Sequence, residues 1–125
     1  MREVISTDKA PAAVGPYSQA VRYGNILFVS GQIPLDPESG EIVGEDIEAQ
    51  TGRVLENLKG VIEASGMELN HVLKCTCFLR NMEDFADFNS VYHTYFADIL
   101  PARETVEVSK LPKDALVEIS AICGK

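Results

Sequence analysis

The chain has 125 residues, 46% hydrophobic and 24% charged, which suits one soluble domain (residues 1–125) with one core and excludes a membrane-spanning helix, since no apolar run nears the roughly 20 residues required. A formal net charge of −8 weighs against a nucleic-acid partner, because phosphate backbones are met by basic stripes and Lys and Arg are scattered singly here. Three cysteines make an odd number, and Cys75 and Cys77 lack the two-residue gap of a zinc or redox pair, so they read as buried free thiols with no metal site visible.

In chain order, Met1-Arg2-Glu3-Val4-Ile5-Ser6 lacks the long apolar segment of a secretory signal, and a cytoplasmic address is the default expectation. Residues 1–19 read as mostly irregular, with Pro11, Gly15 and Pro16 ahead of Tyr17. A strand begins at 20–23, and Gly24-Asn25 is a two-residue hairpin signal. Residues 26–33 are apolar on both faces and predict a central strand in a covered sheet. Gly31 within that run predicts a bulge or a close approach to the backbone. Residues 34–40 read as a loop, with a short strand at 41–43.

Ile47, Val54, Leu55, Leu58, Val61 and Ile62 recur at helical spacing, with Asp46 as N-cap and Gly66 as C-cap. Residues 72–80 predict a strand with Leu73, Cys75, Cys77 and Leu79 on one side. Asn81 caps a second helix, whose apolar stripe is Phe85, Phe88, Tyr92, Tyr95 or Phe96, and Ile99.

The C-terminal stretch from Pro101 reads as two strands joined by a turn. Val106 and Val108 alternate with polar residues, Pro112 and Asp114 mark the turn, and residues 116–122 alternate again. The resulting order is ββαβαββ, an α+β sheet with two helices on one face. The last strand carries Val117, Ile119 and Ala121 on one side and Leu116 and Ile122 on the other. Nothing in the chain remains to cover the second side, which implies a homo-oligomer whose sheets bury those faces.

Two charged residues stand out. Arg103, just after Pro101, reads either as a surface ion pair or as a carboxylate clamp. Glu118, within an apolar strand, reads either as a buried satisfied residue or as a general base. On neighbouring strands of a hairpin, the two would combine substrate anchoring with water activation in one cleft. His71 and His93 read as surface residues, Asn89 as a solvated helix position, Tyr17 as a packed loop residue and Ser30 as a hydroxyl paired with backbone. No serine sits at a strand-to-helix elbow, so a Ser-His-Asp system is unsupported.

Gly15-Pro16-Tyr17, Ser30-Gly31-Gln32-Ile33-Pro34, Pro101-Ala102-Arg103 and Leu111-Pro112-Lys113-Asp114-Ala115-Leu116-Val117-Glu118-Ile119 together resemble the Rid family of YjgF-like proteins, essentially end to end. The resemblance implies a chorismate-mutase-like α+β fold and a homotrimer with a barrel-like centre and clefts between subunits. It also implies a cofactor-free enzyme that hydrolyses 2-aminoacrylate and related enamine/imine acids (2-iminopropanoate, 2-iminobutanoate) to 2-oxo acids and ammonia. By the same resemblance, Arg103 holds the substrate carboxylate and Glu118 positions or deprotonates the attacking water, while Tyr17, Ser30, Gly31 and Asn89 shape the cleft.

The sequence departs from the family pattern where many relatives place a cysteine facing the ligand. Here Glu104 and Thr105 follow Arg103, so a thiol nucleophile is absent and Thr105 is left to hydrogen-bond the substrate. Ser120 stands where a second Glu is frequent. Other classes remain: a ribonuclease or translation inhibitor, as some relatives have been described, or a non-catalytic sensor of small carboxylates.

Overall fold

The computed structural model describes residues 1–125. Its elements are β1 (Arg2–Ile5), β2 (Ala20–Tyr23), β3 (Ile26–Gln32), α1 (Ile47–Ala64), β4 (Val72–Leu79), α2 (Phe85–Phe96), β5 (Ala102–Glu107) and β6 (Val117–Gly124). The strands form one sheet in the order β1-β2-β3-β6-β4-β5, antiparallel except for the β4–β5 pair. The α+β class is as the sequence predicts.

Both helices lie on one face. The α1 side chains Val54, Leu55, Leu58, Val61 and Ile62 are fully buried in one core cluster with Phe88 and Phe96 of α2 and the inward residues of β3, β4 and β6. Asp46 starts α1 by accepting a hydrogen bond from the Ala49 N–H at 2.8 Å. Ser65 is its C-cap, with Gly66 following in left-handed backbone. The β2–β3 hairpin turns at Gly24-Asn25, where Gly24 takes φ 60, a conformation that favours glycine.

Three sequence expectations are corrected. Residues 1–19 are not wholly irregular: Arg2–Ile5 pairs antiparallel with Ala20–Tyr23 as an edge strand. Only Ile5 of the four is buried, so the local pattern is too short to announce a strand. Leu73 does not share a side with Cys75 and Cys77. Val72 is opposite Cys123 and Lys74 opposite Ile122, and the extra residue between them is a bulge that turns Leu73 outward, 53% exposed.

The third correction concerns the site. β5 and β6 are consecutive in sequence but do not form a hairpin. β5 packs parallel on β4 through the β4–α2–β5 crossover, and β6 returns between β3 and β4. Burial explains the order. β6 buries Val117, Ile119, Ala121 and Cys123 on alternate positions, as an interior strand does, whereas every residue of β5 except the half-buried Thr105 is exposed, as suits an edge.

The opposite face of the sheet has no cover. Val4, Tyr23, Phe28, Leu73 and Val106 project from it with 44% to 62% of their surface exposed. This is the uncovered side that residue supply and demand anticipates.

Candidate active site

The first cluster is built on the helix face. Arg103, second residue of β5, lies opposite Cys75 of β4, which lies opposite Ala121 of β6. Its Nη1 donates to Asn89 Oδ1 at 2.7 Å. The guanidinium carbon sits 4.7 Å from the ring centroid of Tyr92, 5.5 Å from Phe85 and 5.8 Å from Phe88. All four partners come from α2 and face β5 because the helix is the crossover between β4 and β5. The chain enters β5 through Leu100, whose N–H donates to the Phe96 carbonyl at 3.0 Å and whose φ of 50 is left-handed. An open cavity of about 850 Å³ lies beside this cluster, lined by Asn89, His93, Phe96, Leu100, Pro101 and Arg103 among others.

Thr105 belongs to the same face, opposite Cys77. Its hydroxyl is buried without a well-formed hydrogen bond, as is that of Tyr92. Expected to bond a ligand, the Thr105 hydroxyl instead lies beneath the surface against the Cys77 thiol. Burial pushes Cys77 up to about 12 and raises Cys75, with the nearby Arg103 charge only partly opposing it. Both thiols are therefore protonated and packed, not poised as nucleophiles.

The second cluster gathers around a break in β3. Val29 is opposite Ala121 and Gln32 opposite Ile119, so three steps on β3 match two on β6 and one residue is extra. The bulge brings Gly31 against Glu118. A methyl group on Gly31 would collide with the Glu118 carboxylate, lying 2.8 Å from Cδ and 3.1 Å from Cγ. Gly31 is thus required for space, which resolves the expected bulge and close approach into one feature. Glu118 is half-buried, and desolvation raises its carboxyl above the ordinary carboxylate value. The Ser30 hydroxyl donates to the Ser18 carbonyl at 2.6 Å. Tyr17 is 55% exposed and lines a second cavity of about 500 Å³ with Gly31, Pro112 and Lys113.

Gln19, unremarked in the sequence, fixes this side. It is 3% exposed. Its amide oxygen accepts from the Thr7 N–H at 2.7 Å, and its amide nitrogen donates to the carbonyls of Thr7 at 3.0 Å and Pro11 at 2.8 Å. The segment leading to Tyr17 is pinned to the sheet by one buried side chain.

The two clusters do not meet within the chain. Arg103 shares the helix face with Cys75 and Ala121, whereas Glu118, opposite Phe78 and three residues from Ala121, points to the uncovered face. Two strand spacings and three residues along the strand separate their backbones by about 14 Å. The cleft expected between hairpin strands is therefore corrected: within the chain, Arg103 and Asn89 lie in one place, and Tyr17, Ser30, Gly31 and Glu118 in another.

The comparisons agree with this architecture. The model of the endoribonuclease L-PSP family matches residues 7–124. A RutC family protein of Pyrococcus horikoshii is 57% identical over 125 residues, covering 100% of this chain and 99% of the relative. The 2-iminobutanoate/2-iminopropanoate deaminase of Salmonella typhimurium is 45% identical over 125 residues, covering 98% of this chain and 97% of the enzyme. A solved Rid-family protein of unknown function from Yersinia pestis superposes with a TM-score of 0.97 at 47% identity, covering 100% of both chains.

The chain belongs to the endoribonuclease L-PSP family, the Rid or YjgF-like proteins. Relatives in this Rid family carry deaminase, endoribonuclease and purely familial names. In this Rid protein, sequence reasoning read His93 only as a surface residue, which it is, and overlooked its place beside the Arg103 cavity, Leu100 and the cation-facing role of the α2 rings. The i, i+4 spacing of Asn89 and His93 was the available signal for His93. The rings read simply as core, because the register that carries Arg103 over them is not visible in the sequence.

Proposed function

We propose that this protein is a cofactor-free deaminase of small 2-imino acids, including those that 2-aminoacrylate-type enamines give on tautomerisation, and that its site is completed by a second copy. The observation that carries the reading is the state of Arg103. In a chain with 19 acidic residues, its guanidinium has no carboxylate within ion-pair distance and bonds only the neutral Asn89. A charged fork held by aromatic faces and an amide keeps most of its donors available for an incoming carboxylate.

Arg103 of one copy anchors the substrate carboxylate in a bidentate pair, and Glu118 of the adjoining copy faces the imine carbon across a water. Glu118 accepts a proton as the water oxygen bonds to that carbon, giving a carbinolamine. With the imine nitrogen protonated at the outset, returning the proton to nitrogen makes an ammonia leaving group. The C–N bond breaks as the carbinolamine hydroxyl passes its proton to Glu118, and the departing ammonia then takes that proton. Iminium and water thus become 2-oxo acid and ammonium. The raised carboxyl of Glu118 suits both steps, since a weaker acid is a stronger base when ionised and holds the proton until the nitrogen takes it. Tyr17, Ser30 and Gly31 shape the Glu118 side of the cleft. The uncovered apolar face supports self-association, and the Rid resemblance favours a trimer. Free buried thiols fit a cytoplasmic address.

The test is to generate 2-aminoacrylate with a serine dehydratase and follow pyruvate with and without this protein. Acceleration that disappears in Arg103→Ala supports the reading; no acceleration by wild type removes it. RNA cleavage, the reading in the family's endoribonuclease name, is disfavoured by the charge of −8. Ligand binding without turnover would make the protein a carboxylate sensor.

A further inference from the structure

We propose that Phe85, Phe88 and Tyr92 form an aromatic cage that positions Arg103 for carboxylate capture while leaving its charge unneutralised. The inference rests on the imine-deaminase reading for its substrate, and on the geometry of α2 for the cage. The three residues fall at i, i+3 and i+7, so their rings share the helix face that looks onto β5. Each ring centroid lies within 5.8 Å of the guanidinium carbon, Tyr92 nearest at 4.7 Å. The rings also brace one another. Phe85–Phe88, Phe88–Tyr92 and Tyr92–Phe96 centroids are 6.5, 5.6 and 4.8 Å apart, all tilted, in the range where aromatic pairs attract.

A carboxylate in place of these rings would hold Arg103 as firmly but occupy the donors that a substrate needs. The π faces attract the cation without accepting its N–H bonds in the guanidinium plane. Asn89 takes one donor at 2.7 Å and fixes the rotation of the plane. The four remaining donors of the fork are left for ligand. A lysine would not be oriented in this way, because its ammonium has no plane to stack. Phe85, Phe88 and Tyr92 are therefore positioning residues, and their effect falls on substrate capture rather than on turnover.

Phe85 is the ring to alter, being half-buried where Phe88 is fully enclosed. Three measurements apply to wild type, Phe85→Leu and Phe85→Tyr: the NMR shifts of the Arg103 side-chain protons, the Kd for 2-oxobutyrate, and KM and kcat for the imine. The cage places the Arg103 protons upfield in wild type through ring currents. Phe85→Leu reduces that shift and raises Kd and KM by roughly 3- to 10-fold with kcat nearly unchanged, and Phe85→Tyr restores both. Absence of the upfield shift in wild type, or its loss in Phe85→Leu with Kd and KM unchanged, overturns the cage. So does an equal fall in kcat that Phe85→Tyr does not rescue, which marks a structural defect. Wild type that binds 2-oxobutyrate without turning over any imine overturns the deaminase reading alone; wild type that does neither overturns both.

Discussion

Arg103 and Glu118 point to opposite faces of one sheet, with β4 lying between the strands that carry them. No small acid can touch both groups of a single chain. If the two act on one molecule, they come from different copies, and the apolar uncovered face that carries Glu118 is where copies would meet.

Arg103 should govern capture through the shape of its fork as well as its charge. Arg103→Lys keeps the charge and loses the bidentate pair, so kcat/KM for the imine should fall by about 10-fold, mostly through KM. Arg103→Ala should cost about 10- to 100-fold. Steady-state kinetics on dehydratase-generated imine measure both, and equal activity of Lys and Arg forms would contradict a planar clamp.

Glu118 makes two linked pH predictions. Burial raises its carboxyl above the ordinary value of 4.5, so the folded chain holds a proton that the unfolded chain has released. Its contribution to stability is therefore present below about pH 4.5 and is lost as pH rises through the folded value. Glu118→Gln should melt with wild type near pH 4 and above it near pH 7 in a thermal scan. The acid limb of kcat/KM should lie above the usual carboxylate range in wild type, and Glu118→Gln should lose turnover while still binding 2-oxobutyrate.

Gly31 tests the same carboxylate without touching it chemically. Gly31→Ala adds a methyl group in the space occupied by the Glu118 carboxylate. The side chain can swing away, so the melting temperature should change by only a few degrees. Turnover should fall by about 100-fold, because the water's partner is displaced. Full activity in Gly31→Ala would mean that the position of Glu118 is immaterial.

The fold was legible where burial writes a regular period. The α1 stripe, its Asp46 cap, the Gly24-Asn25 turn and the central place of β3 all follow from local pattern. Pairing partners were not legible. β1 is four residues held by register with β2, and the outward turn of Leu73 depends on a bulge that no residue type announces. The hairpin expected at 101–122 failed because adjacency in sequence favoured pairing, whereas the βαβ crossover sent β5 to the edge. The candidate residues were therefore individually visible while their separation was not: Arg103, Asn89 and Gly31 carry distinctive chemistry, but the side of the sheet that each faces is set by register.

The uncovered face supplies a further outcome. Phe28 is 50% exposed on it, opposite Ile122 of β6. Phe28→Asp places a charge where copies are proposed to pack and should dissociate the assembly in sedimentation velocity. Activity should fall with it although Arg103 and Glu118 are untouched. A fully active monomer would contradict the shared site.

Mixing two impaired variants tests that site most directly. Arg103→Ala and Glu118→Gln chains, unfolded together and refolded as mixed oligomers, would place an intact Arg103 beside an intact Glu118 at half times half, about one junction in four. The account predicts recovery of about a quarter of wild-type imine hydrolysis, with either variant refolded alone well below that, at about a tenth or less. Mixed oligomers that stay as slow as their parents would contradict it.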